Sequence, residues 1–489
     1  MSKMRFAWLF LLAAFILTSS TLFAQMKKEE AVQPIQQEKP KGPEKVMIFN
    51  GDFLKVQLYG FVKFDMVYNT TDVYNESGPF MTSNQVLYYN PLAAVPGLVV
   101  PAAGQRNLIS VKKTASQNSG SFLMDMRTTR LGLRITGPTV LLAKTSANLE
   151  IDFWGTAAAA GTGERCGMPM MRHAFAQLAW PSGTTLTIGQ TWSLVMAMTA
   201  QPITVTYVPF GQNGNLFQRE PQIALGQKIG NDNYNLTIEA AAARSMAGVD
   251  TGVATDLYPG VSGVVADDRG PGEASRYPAG RAKITLTLKP HDMVNIILGA
   301  TGHYQLEKHA LTFANLANTN IWGATTPLEA AEVLLITQRW GKLTPSYSAG
   351  GFAKISISLV SLVATYWRGV NMDQFSCGIG AGQVENFSST KILGVPAQGG
   401  YAQLQIDLRK VGPIPLAFNV GYGGILKSNK RYINYNIMLW NEAIVANAFW
   451  YINDYLWLGF EFGRHQSKYK GALGSAIDYK YHTGVSFNF

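Results

Sequence analysis

The chain has 489 residues, a length that would serve about three soluble domains. Only 15% of the residues are charged, with 48 Gly, 21 Tyr and 10 Trp and a mean hydropathy of +0.03, whereas soluble domains carry roughly 25% charge. That is too apolar for a disordered chain, and the apolar residues are too evenly spread for a helical membrane protein, which gathers them into separate runs.

Lys3 and Arg5 precede an apolar core from Phe6 to Leu17, and the small residues Ser19, Ser20 and Ala24 follow. This order predicts a secretory signal peptide over 1–24, cut after Ala24. The core is short for a membrane anchor, and no cysteine near the cut offers a site for lipid attachment. Without Lys3 and Arg5 the 41 basic residues fall to 39 against 31 acidic ones, a balance of +8. The charges are dispersed, so no nucleic-acid patch forms; anionic solutes and the phosphates of outer-membrane lipid and lipopolysaccharide are the partners expected of an exported chain. Residues 25–50 hold Lys27 to Lys45 and three prolines, Pro34, Pro40 and Pro43, and read as a polar periplasmic linker. Cys166 and Cys377 are too few for a disulfide framework, leaving loop thiols or one loop bridge as equal readings.

After residue 25 no apolar stretch reaches 18 residues, which excludes a transmembrane helix. Alternation with a period of two replaces it. From Leu54 to Tyr68 the even positions are Leu, Val, Leu, Gly, Val, Phe, Met and Tyr, while Lys55, Gln57, Lys63 and Asp65 lie between them. Between Ala143 and Phe153 the odd positions are mostly apolar and the even ones are Lys144, Ser146, Asn148, Glu150 and Asp152. Thr129 to Ile135, Ala174 to Trp180, Leu236 to Ala242, Ala282 to Leu288, Ala402 to Leu408, Leu416 to Tyr422, Leu456 to Phe462 and Tyr479 to Phe489 repeat the pattern. Such segments send side chains to opposite faces of a strand.

Short turns are expected at Gly137-Pro138, Pro181-Ser182-Gly183, Gly230 to Asn233, Pro290 to Asp292 and Gly412-Pro413. Long loops are expected at roughly 70–120, 246–279, 305–348 and 371–398. Strands of about ten residues, joined alternately by short turns and long loops, predict an all-β transmembrane antiparallel β-barrel over 51–489. Trp154, Trp180, Trp192, Trp440, Trp450 and Trp457 near strand ends fit interfacial belts, which a soluble β-sandwich does not need. After removal of 24 residues, about 28 residues per strand and its loop give about 16 strands, with 18 as the alternative.

A barrel of that size encloses water, so function is expected on the polar parity. That face carries Lys63, Arg130, Arg134, Arg281 and Lys283, with Glu150, Asp152 and Glu239 as an opposing acidic wall. Opposed charges set up a field across a pore, and an excess of Arg selects anions. Ser193 to Gln218 carries no charge, which suits an inward-folded constriction loop with Gln212, Asn213 and Asn215 lining the passage. No metalloprotease, phosphate-loop or serine-elbow motif occurs, and neither a cofactor nor a metal is expected; His303 and His309 flank Glu307 without the spacing of a known site. The other readings are an outer-membrane lipid hydrolase and a structural major surface protein, and His482 on the lumen parity points the wrong way for the first.

Gly189-Gln190-Thr191-Trp192-Ser193, Val208-Pro209-Phe210-Gly211-Gln212-Asn213-Gly214 and Arg219-Glu220-Pro221-Gln222-Ile223 resemble the GQTWS, NGPNG and RQPQI pattern of the DcaP-like outer-membrane porins. Gly60 to Asp65 and Thr129 to Arg134 are similar to that family's first two strands. The resemblance implies a homotrimer of 16-stranded barrels that passes small anionic solutes, dicarboxylates in particular, by passive diffusion across the outer membrane. It also implies Arg130, Arg134 and Arg219 as anion-guiding residues. Two departures stand out: the prolines of 25–50 break the helical segment many members carry there, and Glu220 replaces the family's glutamine, setting a negative charge beside Arg219.

Overall fold

A computed structural model describes residues 46–71, 120–155, 167–245, 271–308, 343–372, 374–375, 383–385, 392–428, 438–469 and 475–489. The signal-peptide segment, most of the linker and both cysteines lie outside them. The strands in chain order are β1 (Val46–Asn50), β2 (Lys55–Asn69), β3 (Ser121–Asp125), β4 (Arg130–Val140), β5 (Ala143–Gly155), β6 (Met168–Ala179) and β7 (Thr184–Trp192). There follow β8 (Arg219–Gly230), β9 (Tyr234–Ala243), β10 (Ala279–His291), β11 (Val294–Lys308), β12 (Leu343–Ile357) and β13 (Val360–Val370). After a small hairpin, β14 (Gln383–Glu385) and β15 (Ile392–Gly394), come β16 (Pro396–Asp407), β17 (Leu416–Lys427), β18 (Met438–Tyr451), β19 (Leu456–Tyr469) and β20 (Ser475–Asn488).

Each strand pairs antiparallel with the next around a ring, and the ring closes where β20 pairs with β2, from Phe61 opposite Asn488 to Asn69 opposite Lys480. β3 and β4 are two lengths of one stave, since both pair with β2. They part at a bulge where the Thr128 hydroxyl donates to Asp65 at 2.7 Å. With β1 continuing the β20 stave along β2 and the hairpin outside the wall, sixteen staves form a closed antiparallel barrel, which leaves no unpaired edge for hydrocarbon to meet. Sixteen, not eighteen, is therefore the count.

The seam depends on Gly60. Its N–H donates to the Phe489 carbonyl at 3.0 Å and its carbonyl accepts from Phe489 N–H at 3.1 Å, while a Cβ there would be driven into the Arg130 carbonyl. Two sequence expectations shift at this rim. The sheet begins at Val46, inside the stretch read as linker, because the apolar Val46 to Phe49 run pairs with the start of β2. The first short turn falls at Leu141-Leu142, both with positive φ, not at Gly137-Pro138. Those two residues sit where the register slips between Thr136 and Thr139, a place where the missing proline N–H breaks no ladder bond.

The alternation resolves into two environments. Phe122, Ile223, Leu225, Phe460 and Phe487 are each more than half exposed on the outside, a continuous apolar girdle that water would not tolerate and lipid requires. The opposite parity holds Lys63, Asp65, Glu150, Asp152, Arg281, Glu461, Lys480 and His482, all buried within the lumen.

An arginine cluster beneath a lumenal loop

The connection from β7 to β8, residues 193–218, runs inside the barrel. It contains no charge to hold it in solvent, and the wall opposite is cut away to receive it. Phe210 lies over Gly421 and Gly423, Val205 over Gly459 and Gly484, and Gly214 against Gly400 and Gly424; a Cβ on Gly421, Gly459 or Gly484 would stand 2.7–2.8 Å from the loop side chain, closer than packing permits. Phe210 stacks on Tyr401 at 5.6 Å. Polar tethers fix the path: Lys63 Nζ donates to the Val205 carbonyl at 2.7 Å, Glu461 accepts from Val205 N–H at 2.7 Å and from the Thr206 hydroxyl at 2.8 Å, and Gln403 accepts from Ile203 N–H at 2.6 Å.

This path decides which loop residues face the passage. Gln212 accepts from Asn441 through its carbonyl, Gly214 from Trp367, and the Asn215 amide donates to Pro209 and Gln201 within the loop. Asn213 is fully buried. The Gln212 to Asn215 run thus packs against β13 and β16 to β18. Tyr207 instead reaches the far wall, donating its hydroxyl to Asp152 at 2.9 Å and setting its ring 4.7 Å from the Arg172 guanidinium and 5.2 Å from that of Arg130.

On that far wall lies a cavity of about 670 Å³, lined among others by Tyr59, Phe61, Arg130, Arg134, Glu150, His173, Trp192 and Phe489. Arg130 and Arg134 come from alternate inward positions of β4, and Gly132 between them leaves room for the Tyr59 ring. Arg134 lies 4.2 Å from that ring and is exposed to the lumen. Glu150 and Asp152 do not form an opposing wall. They stand on β5 beside the arginines, and Arg172 spans both, with Nε 2.6 Å from Glu150 and Nη1 2.9 Å from Asp152. Arg130 Nε is 3.3 Å from Glu150 Oε1, short of an aligned hydrogen bond, and Arg219 packs on Trp192 and Phe217 at 5.3 and 5.6 Å. Among the described residues, Arg130 Nε and Arg219 Nη1 are buried without a hydrogen-bond partner. Arg130, Arg172 and Arg219 gather about two carboxylates and Arg134 lines the same cavity, so four guanidiniums against two carboxylates leave an excess of two positive charges.

The remaining candidates are wall pairs. Lys63 bonds Asp65 at 2.7 Å as well as the loop, and Lys283 meets Glu239 at 2.7 Å directly across β9 and β10. Arg281 donates two bonds of 3.0 Å to Glu220. It reaches over β9, whose inward residues there are Ala241 and Ala243. Glu220 therefore spends its charge on Arg281 and not on its chain neighbour Arg219. Both side chains are fully buried, so Arg281→Met leaves an unpaired charge and should cost about 3–5 kcal/mol. The double variant Arg281→Met with Glu220→Met should recover most of it; the temperature at which the barrel loses its compact migration on unheated gels reports both.

No motif or spacing in the sequence singles out Arg172, His173, Tyr207 or Tyr59. A bulge between Glu150 and Ile151 sets Arg172 beside His173 on the inward face, against strict alternation. Two belt tryptophans also move: Trp192 lines the cavity, and Trp457 packs inward on Phe449, 5.9 Å from Lys63 Nζ. His303 is held by Ser346 and Ser348, and His309 lies outside the described residues.

Comparison with solved structures places this barrel on the outer membrane channel DcaP of Acinetobacter baumannii, with a TM-score of 0.60 and 16% identity over 90% of this chain and 99% of that one. The chain has the outer-membrane porin fold. Other similar structures are OprB of Pseudomonas putida, at 0.48 and 7% identity over 88% and 94%, and the anion-selective porin of Comamonas acidovorans, at 0.47 and 11% over 89% and 100%. No family model matches the sequence, and none of the curated proteins does. The porin fold sets the apolar girdle in the outer membrane.

Proposed function

We propose that this porin passes small hydrophilic anions by passive diffusion, dicarboxylates among them, and that it works as a homotrimer in outer-membrane lipid and lipopolysaccharide. The observation that carries the reading is a pair of buried guanidinium nitrogens without a hydrogen-bond partner, Nε of the cavity-lining Arg130 and Nη1 of Arg219, which packs on the cavity-lining Trp192. A buried N–H of a charged group is costly to leave unpaired, and a carboxylate is the ligand whose geometry suits a guanidinium. Arg134 extends the positive path toward the periplasm. Arg130, Arg134 and Arg219 are the anion-guiding residues of this reading, whereas Lys63, Arg281 and Lys283 serve the wall. Homotrimer and solute class draw support from the GQTWS-type segments. Pure protein in a planar bilayer under a potassium chloride gradient is the test: the expected zero-current potential has the sign of chloride as the more permeant ion.

A further inference from the structure

Glu150 and Asp152 are a pair of carboxylates already seated among the arginines, and the two are held differently. Asp152 is wholly buried and accepts from Arg172 at 2.9 Å, from Tyr207 at 2.9 Å and from the Trp154 N–H at 3.1 Å. Glu150 lines the cavity, takes Arg172 at 2.6 Å and Tyr59 at 2.9 Å, and holds Arg130 only loosely at 3.3 Å. Arg130 is also the movable partner, its side chain 25% exposed against 2% for Arg172.

We propose that Glu150 is the specificity-determining counter-anion of the pore, exchanging with the solute for Arg130. When a solute carboxylate enters, Arg130 turns to it; when the solute leaves, Glu150 takes Arg130 back. The inference rests on the anion-porin reading and adds what that reading lacks, a means of release. A pore must bind well enough to admit an ion and weakly enough to let it go, and without Glu150 four guanidiniums against Asp152 alone would retain a dianion. Glu150 supplies the competing charge from inside the wall, while Arg172 and Tyr59 keep it in position.

Succinate is the probe, and the readout is the concentration dependence of its current through the intact porin in a planar bilayer. Glu150→Gln should lower the half-saturating concentration by about fivefold or more, since one charge at ~4 Å is worth that factor even in water, and should lower the current at saturation. Glu150→Asp, which keeps the charge at the cavity edge, should return both values toward wild type, a rescue that a merely structural role does not predict. If Glu150→Gln does not assemble, Tyr59→Phe carries the test. It frees the second oxygen to lean on Arg130, so the half-saturating concentration should rise. Unchanged half-saturation in whichever variant assembles, with anion preference intact, overturns the proposal. Absence of anion preference in the wild type would instead remove the functional reading on which it stands.

Discussion

Replacing Arg130 and Arg219 together by Gln should abolish the anion preference of the pore while leaving an assembled barrel. Around the cavity the pair Arg134 and Arg172 would then face Glu150 and Asp152, so the excess of two positive charges becomes zero. Arg172 keeps both of its carboxylate bonds, and although the replaced side chains meet the loop at the rings of Tyr207 and Phe217, its hydrogen-bonded tethers to Lys63, Glu461 and Gln403 remain. A unit charge at ~4 Å contributes about 1 kcal/mol in water and more in a wall of low dielectric, so removing two should shift the chloride to potassium permeability ratio by roughly tenfold or more. The zero-current potential in a salt gradient reads this directly. A ratio unchanged from wild type would make the arginine cluster part of the wall.

The second large effect concerns the loop. Gly423 lies in extended backbone under Asn213 and Phe210, and any side chain there is driven into the Asn213 carbonyl. Gly423→Val is compatible with a strand but not with the loop in its place, so the loop should lift from the wall and carry Tyr207 away from Asp152. Single-channel conductance should rise severalfold, and anion preference should fall because the arginines no longer border a narrow passage. Gly412, in the short turn between β16 and β17, has nothing within 4 Å of where a Cβ would stand, so Gly412→Val serves as the control with unchanged conductance. Equal conductance in both variants would mean that the loop does not limit flow.

These effects follow from features that differ in how far the sequence reveals them. Alternation reaches far: in Leu54 to Tyr68 and Ala143 to Phe153 most of the apolar parity, such as Val62, Tyr68 and Leu149, faces outward, so the inward direction of Lys63, Asp65, Glu150 and Asp152 can be read from the pattern alone. The missing charge of 193–218 likewise marks a segment that does not belong in solvent. Which of its residues meets the passage is not legible, because the path is set by glycines at 400, 421, 423, 459 and 484, some two hundred positions away. Arg172 escapes for a different reason. A single bulged residue reverses parity locally, and nothing in Met168 to Ala179 announces where the bulge falls. Trp192 and Trp457 look like belt residues at strand ends, yet an aromatic ring at such a position packs inward equally well when a loop supplies it with partners.

The composition takes on a physical meaning once the barrel is known. Low charge and near-zero hydropathy are the average of an apolar girdle and a polar lumen, and much of the lumen charge is spent on cross-strand pairs such as Lys283 with Glu239. The proposed anion path confines the functional balance to a few arginines on one wall of the barrel.

The most direct test of that claim is the zero-current potential of the wild-type porin across a potassium chloride gradient. The cluster of Arg130, Arg134, Arg172 and Arg219 predicts a potential set by chloride, diminished in the Arg130→Gln, Arg219→Gln double variant. A potential set by potassium in the wild type would contradict it.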